Sequence, residues 1–316
     1  MYLVRQFQQV LRGRGKVIAL DTNFDSPAMR VADELDLAPP AHDPGYADWL
    51  LTLALRTPAG LVCSLHDVEG FALAQQRQRC VDAGIVALLP TPEWARLCLD
   101  KLACGVFLRT AGLEAPWTST SLAEAAAGLA QGDLQFPLVI KARLGYGSLA
   151  LVDRHDWAQL TSAYRQAAIE LADSPEQAVF PLLEDERVLI QLWVVGKEYR
   201  LELLHDLRGR YAAHFIGESH QMRFGESESV TTCDPDLLDN LPHRLSAVFG
   251  HSGIWGLDWI WDGERATILD INPRFTGAYP FYHLAGANAP AAIVAWANGA
   301  RRRACLAADG EWGARG

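Results

Sequence analysis

The chain lacks the marks of several large protein classes. Its six cysteines are scattered singly, with no C-x-x-C pair, which points to a reduced cytoplasm. No apolar run reaches the ~18 residues of a membrane span, so no membrane association is expected. The opening Met1-Tyr-Leu-Val-Arg-Gln-Phe7 reads as the start of an amphipathic helix rather than a signal peptide. Basic charge is in deficit: 28 Lys and Arg against 38 Asp and Glu give a formal net charge of −10, which argues against bulk nucleic-acid binding. The basic cluster Arg301-Arg-Arg303 reads as a solvated helix end. Internal repeats, low-complexity linkers and a Walker loop are also missing.

What is present suits one enzyme-sized unit of two or three subdomains: 316 residues, 50% of them hydrophobic. Residues 1–90 alternate between strand patterns (16–20, 60–65, 84–89) and helix patterns (27–37, 48–55, 68–83). That alternation predicts a parallel sheet with helices on both faces. Such sheets begin with a strand and a glycine-rich turn, whereas this chain opens in a helix, so a first strand is expected to be missing. Thr91-Pro92 starts a helix running through Asp100-Lys101 to Ala111. Further strands are expected at 136–141, 149–152, 187–195, 198–204 and 211–216, and helices at 156–173, 235–251 and 277–300. The expected domains are 1–90, 91–190 and 191–316.

The chemistry concentrates in Asp270-Ile-Asn272-Pro-Arg274, at the end of an apolar strand. Asp270 and Asn272 are two apart, so both leave one face. A carboxylate, an amide oxygen and a guanidinium there suit a hard cation carrying phosphate oxygens. Asp258 lies on the preceding strand, beyond an Asp262-Gly263 turn. For Asp258 and Asp270 to share a face the loop must be odd, for instance three residues with Gly263 in the left-handed slot, and an odd loop is expected. A solvated hairpin whose acids mark strand ends is the other reading.

Lys141 ends an apolar strand and is followed by Gly145-Tyr-Gly147-Ser148. The lysine can bridge phosphate oxygens, and the glycines let N–H groups close over them. Alone, this also fits a plain turn with a snorkelling lysine. Lys101 sits on a helix, where most lysines are solvated. Gln191-Leu-Trp-Val194, followed by Glu198, offers an adenine-type edge and a ribose carboxylate, or an ordinary buried hairpin. Arg223 and Glu226 lie in a polar loop where Arg223 can bind a carboxylate. Tyr279 and His283 either line an acceptor pocket or pack helices.

The order of these pieces resembles the ATP-grasp superfamily over almost the whole chain. The segments Asp25-Ser-Pro-Ala28, Asp100-Lys101 and Asn272-Pro-Arg-Phe-Thr-Gly-Ala-Tyr-Pro280 are closest to its carbamoyl-phosphate-synthase-like and pyrrolysine-biosynthesis-like branch. The resemblance implies an N-terminal α/β domain followed by two ATP-clasping lobes. It implies that Lys101 and Lys141 contact ATP phosphates and that the Gly145, Gly147 and Ser148 loop closes over the γ-phosphate. Gln191 with the backbone of Leu192 and Val194 would hold adenine, and Glu198 the ribose. Asp258, Asp270 and Asn272 would bind one or two Mg²⁺ ions (or Mn²⁺), and Arg274 the transferred phosphoryl group.

The implied activity is an ATP-dependent carboxylate–amine ligase working through an acyl-phosphate on an amino acid or small carboxylic acid, with a homodimer plausible. A phosphotransferase and a non-catalytic ATP-binding module are the alternatives. Asp270 and Gln191 both stand where the family commonly has Glu, and the family's first strand is expected to be missing.

Overall fold

The computed structural model describes residues 1–145, 152–223, 226–238, 240–249 and 252–299. The N-terminal part runs α1 (Tyr2–Leu11), β1 (Ile18–Asp21), β2 (Glu34–Leu37), α2 (Tyr46–Arg56), β3 (Leu61–Cys63), α3 (Asp67–Ala74), α4 (Arg77–Asp82) and β4 (Val86–Leu88). β1 pairs with β2 and β3 with β4, both parallel. Tyr46, Leu50, Leu73, Ile85 and Leu89 form the core of this part.

Two expectations fail here. The helix at 27–37 is instead a series of turns leading into β2. Asp33 explains the change: its carboxylate accepts from the Val17 N–H at 2.7 Å and from the Gln8 amide at 2.9 Å, which docks the segment beside β1. The long helix at 68–83 is broken into α3 and α4.

Thr91 caps α5 (Pro92–Leu99) as expected, accepting from the Trp94 N–H. The helix does not continue, however. Asp100 leaves helical geometry and caps a new helix, α6 (Lys101–Thr110), through the N–H groups of Leu102 and Ala103. Arg143 holds the same carboxylate with a two-pronged contact at 2.9 and 2.7 Å. Lys101 thereby becomes the first residue of a short, fixed helix.

The middle lobe contains β5 (Thr118–Ser119), α7 (Leu122–Gln131), β6 (Leu138–Ala142), β7 (Val152–Arg154), α8 (Trp157–Glu170), α9 (Pro175–Val179) and β8 (Val188–Leu192). Its strands form a four-stranded sheet in the order β5-β8-β6-β7. Alternation splits that sheet: Leu138, Ile140, Val188 and Ile190 pack under the helices, so Val139, Lys141, Leu189 and Gln191 face the other way. The expected domain boundary at 190 cuts β8, and this sheet closes at Leu192.

The last lobe contains β9 (Lys197–His205), β10 (Tyr211–Arg223), β11 (Glu226–Thr232), α10 (Leu241–Val248), β12 (Gly253–Trp261), β13 (Ala266–Asn272), α11 (Tyr279–Leu284) and α12 (Ala289–Ala297). Its antiparallel sheet has the order β11-β10-β9-β12-β13. Tyr199, Leu201, Leu203, Trp255, Leu257, Trp259, Ile268 and Ile271 bury one face against α5, α6 and α10. No helix among the described residues is long and apolar enough to cross a membrane.

Candidate active site

The other face of the last sheet is polar, and its register assembles the site. Arg200, Asp258 and Asp270 lie in one row across β9, β12 and β13, and Glu202, Gly256 and Asn272 in the next. The two acids share a face, but not through an odd loop. Trp261 pairs with Ala266 across a four-residue connection in which Gly263 has φ 105°. The Asp262 carboxylate caps that turn, accepting from the N–H groups of Glu264 and Arg265. The parity is corrected further along, where the ladder shifts between the Trp259–Ile268 and Asp258–Asp270 pairs. Leu269 is the extra residue, a β-bulge that turns Asp270 and Asn272 onto the polar face.

Both acids are held by the protein's own cations. Lys101 Nζ lies 2.9 Å from Asp270 and also donates to the Gly145 carbonyl at 2.5 Å. Arg200 bridges Asp258 at 3.1 Å and Glu198 at 2.9 Å. Burial works to lower the Lys101 ammonium, but Asp270 and Asp67 outweigh it and leave its pKa raised. Burial raises the Asp258 carboxyl, Arg200 opposes that, and Asp270 and Glu198 add to the rise.

Lys141 differs from Lys101. It is 9% exposed, and its ammonium makes no hydrogen bond or ion pair among the described residues. Burial, then the neighbouring Lys101 charge, pushes its pKa down to about 8.

Arg274 does not point freely into the site. Its guanidinium grips Asp67 of α3 at 2.8 and 2.7 Å, and it also donates to the Asn272 side-chain oxygen and the Phe275 carbonyl. The segment after it folds onto β12: a Cβ on Gly256 would lie 1.8 Å from Thr276 Cγ2. Glu202 pins Thr276, accepting from its N–H at 3.2 Å and its hydroxyl at 2.5 Å. Burial raises the Glu202 carboxyl to about 8, although the Thr276 bonds work against that.

Gln191 lies on the Lys141 face of the middle sheet, and its amide nitrogen donates to Thr118 Oγ1 at 2.9 Å. The Leu192 N–H is already bonded to the Trp117 carbonyl, so it is not a free adenine contact. Val194 is half-buried just beyond β8. Gly145 is placed by Lys101, whereas Gly147 and Ser148 lie outside the described residues.

Arg223 and Glu226 correct another expectation: their backbones belong to paired strands, not to a loop. Tyr279 is buried in the helix packing, with its hydroxyl accepting from the Ala289 N–H and its ring edge-on to Phe275. His283 borders a separate cavity beside α1 with Gln6, Arg12 and Asn288. Neither lines a pocket with Arg274.

Sequence reasoning missed Arg200, Glu202 and Asp67. The first two carried a signal, because Glu198-Tyr-Arg200-Leu-Glu202 alternates polar and apolar as a half-buried strand does. Asp67 carried none, being 207 residues from its partner.

The donor set fits a hard divalent cation. Two carboxylates and an amide oxygen project from adjacent strands, and Asp258 and Asp270 each carry a raised or paired charge that a metal can replace. Among the described residues no third acid, His or Cys joins them, which leaves coordination positions for substrate oxygens.

Two family models match the chain. The PylC-like N-terminal domain covers residues 1–88 and the ATP-grasp domain residues 98–278. The fold is shared with the biotin carboxylase domain of 2-oxoglutarate carboxylase from Hydrogenobacter thermophilus, solved with MgADP, ADP and bicarbonate (TM-score 0.75, 17% identity, 96% of this chain and 68% of that one). It is also shared with N5-carboxyaminoimidazole synthetase from Staphylococcus aureus (0.68, 15%, 95% and 75%). A third such structure is an L-amino acid ligase from Bacillus licheniformis (0.66, 17%, 93% and 70%).

Proposed function

The chain belongs to the ATP-grasp family, with a PylC-like N-terminal domain, and from that premise we propose that it is an ATP-dependent carboxylate–amine ligase. The observation that carries this reading is the meeting of Lys101 of α6 and Lys141 of the middle sheet with the Asp258–Asp270 pair of the last sheet. Cations that can hold phosphate thus face acids that can hold a metal. The L-amino acid ligase among the solved structures of this fold supports the same reading.

In this reading Asp258, Asp270 and Asn272 hold Mg²⁺, which supplies charge neutralisation to the phosphate oxygens. Lys141, whose ammonium makes no ion pair among the described residues, takes a phosphate oxygen. Lys101 bridges phosphate and Asp270, and α6 is kept in register for this by the Asp100–Arg143 clamp. The Thr118 contact fixes the Gln191 amide so that its oxygen is left to accept from the adenine amino group. Glu198 receives the ribose hydroxyls when Arg200 is drawn to the new anionic charge.

A substrate carboxylate oxygen attacks the γ-phosphorus and ADP leaves. An amine nitrogen then attacks the acyl carbon of the mixed anhydride, phosphate leaves, and the nitrogen gives up a proton. The protein contributes positioning and preorganised charge. Arg274, tied to Asp67, orients Asn272 and directs its positive charge toward the acyl-phosphate. For the assembly we propose a homodimer, the state named for the H. thermophilus domain.

The test is ADP and phosphate release with Mg-ATP across pairs of carboxylic acids and amines, with Lys141→Ala as control. Release that needs both partners and vanishes in the variant is expected. Release with an acid alone and a stable phosphorylated product would turn the reading into a phosphotransferase. ATP binding without turnover on any pair would turn it into a binding module.

A further inference from the structure

The cleft that His283 borders lies between α1 on one side and α11 with the start of α12 on the other. Its volume is about 380 Å³, within the range of metabolite pockets. None of the Asp258–Asp270 site residues lines it. Packing fixes its walls, because Phe7 of α1 shares a core with Ala289, Ala292 and Ile293 of α12. Helices commonly stop at a left-handed glycine. At the end of α1 the left-handed residue is Arg12, with φ 49° and ψ 42°. The turn that follows brings Arg14 to the same rim, so both arginines line the cleft with His283 and Asn288.

No carboxylate lines this cleft. Yet the chain has a formal net charge of −10, and Arg30, Arg56 and Arg79 of the same N-terminal part each pair with an acid. Arg12 and Arg14 form no ion pair among the described residues. Gln6 belongs to the same wall. It is 6% exposed, and its side-chain oxygen is buried without a hydrogen-bond partner. A buried amide without partners is unfavourable, and the soft terminal torsion of glutamine lets it turn toward a ligand. Asn288 adds a donor. Its side-chain oxygen caps α12, accepting from the Ala291 N–H at 3.1 Å, which leaves its NH₂ group uncommitted. Two guanidinium groups and two amides thus meet with no opposing negative charge. That set suits an oxyanion, which guanidinium groups hold through paired N–H contacts.

We propose that this cleft is a second ligand site, taking a small organic oxyanion, either a carboxylate or a phosphate monoester. Arg12 and Arg14 hold the anionic group, and Gln6 supplies the polar contact at the cleft wall. The site is separate from the nucleotide centre and does not depend on the ligase reading.

Calorimetric titration of the full chain with glycerol 3-phosphate and with succinate, at low ionic strength, tests this. The proteins compared are wild type, Arg12→Asn, Arg14→Ser, Gln6→Leu and Lys141→Met. Both arginines are exposed, and asparagine tolerates the left-handed conformation at position 12, so both variants should keep the fold. Wild type should bind one of the two probes with a Kd below about 1 mM, and the tighter probe tells phosphate from carboxylate. Each arginine variant should bind about tenfold more weakly. Gln6→Leu should also bind more weakly, yet melt at or above the wild-type temperature without ligand, because an apolar side chain of similar size removes the orphan amide. A merely structural glutamine would not give that combination. Lys141→Met should keep full affinity. No binding of either probe up to about 10 mM overturns the proposal, as does affinity unchanged in the arginine variants or in Gln6→Leu. Loss of binding in Lys141→Met also overturns it, by assigning the anion to the nucleotide centre.

Discussion

Asp258 and Asp270 are direct cross-strand partners only because Leu269 is surplus to the ladder. Without that residue's bulge, the four-residue turn would set Asp258 opposite Leu269 and aim Asp270 into the core. The pairing places the two carboxylates where one cation can reach both. Asp258→Asn and Asp270→Asn should each lower ADP release at least about 100-fold, since metal-borne charge neutralisation is worth several kcal/mol. Each should also raise the Mg²⁺ concentration needed for half-maximal rate. Asp270→Glu lengthens the side chain on the same face and should retain turnover. Equal rates for all three variants across a MgCl₂ titration would remove these residues from the metal site.

The proposed phosphate contact of Lys141 predicts that nucleotide affinity is sensitive to alkaline pH. Its folded-state pKa is pushed down to about 8, so the ammonium is charged below that pH and lost above it. Phosphate binding needs the charged form. Mg-ATP affinity should be flat below pH 8 and weaken above it, approaching about tenfold per pH unit. Lys141→Met should bind more weakly and show no such fall, because it has no proton to lose. Calorimetric titration between pH 6.5 and 9.5 reads both, and an identical slope in wild type and variant would refute the assignment.

What could be read from the sequence depended on how far apart the cooperating residues lie. Asp270 and Asn272 end β13 and Arg274 follows two residues on, so the three could be singled out as a local pattern. The even-numbered turn was not legible, because the bulge depends on how β13 packs against β12. The break at Asp100 was hidden for the same reason: the residue that holds it, Arg143, is 43 positions away. The segment at 27–37 has the composition of a helix, yet Asp33 gains more by docking on Val17 and Gln8. Local propensity is a weak prior that tertiary contacts override.

The Asp67–Arg274 pair joins the N-terminal part to the segment after β13, with side chains only 11% and 12% exposed. Removing one member leaves a buried charge alone, at a cost of about 3–5 kcal/mol. Asp67→Ala and Arg274→Ala should each destabilise on that scale, and the double variant by clearly less than their sum. A double-mutant cycle from urea unfolding measures the difference. Simple additivity would show that the contact contributes little to holding the two parts together.

Gly256 tests how the loop bearing Arg274 is seated. A Cβ there would fall 1.8 Å from Thr276 Cγ2, far inside contact distance, and the atom it meets is a methyl on a residue pinned by Glu202. Gly256→Ala must therefore push Thr276 off the sheet, at a cost of about 1–3 kcal/mol, and carry Arg274 with it. Turnover should fall as well as stability. Thr276→Ser removes the obstructing methyl while keeping the hydroxyl that donates to Glu202. The double variant Gly256→Ala/Thr276→Ser should then recover most of the stability and turnover lost in Gly256→Ala. If melting temperature returns but turnover does not, the position of Arg274 depends on more than this contact. If neither returns, the backbone of β12 itself requires glycine.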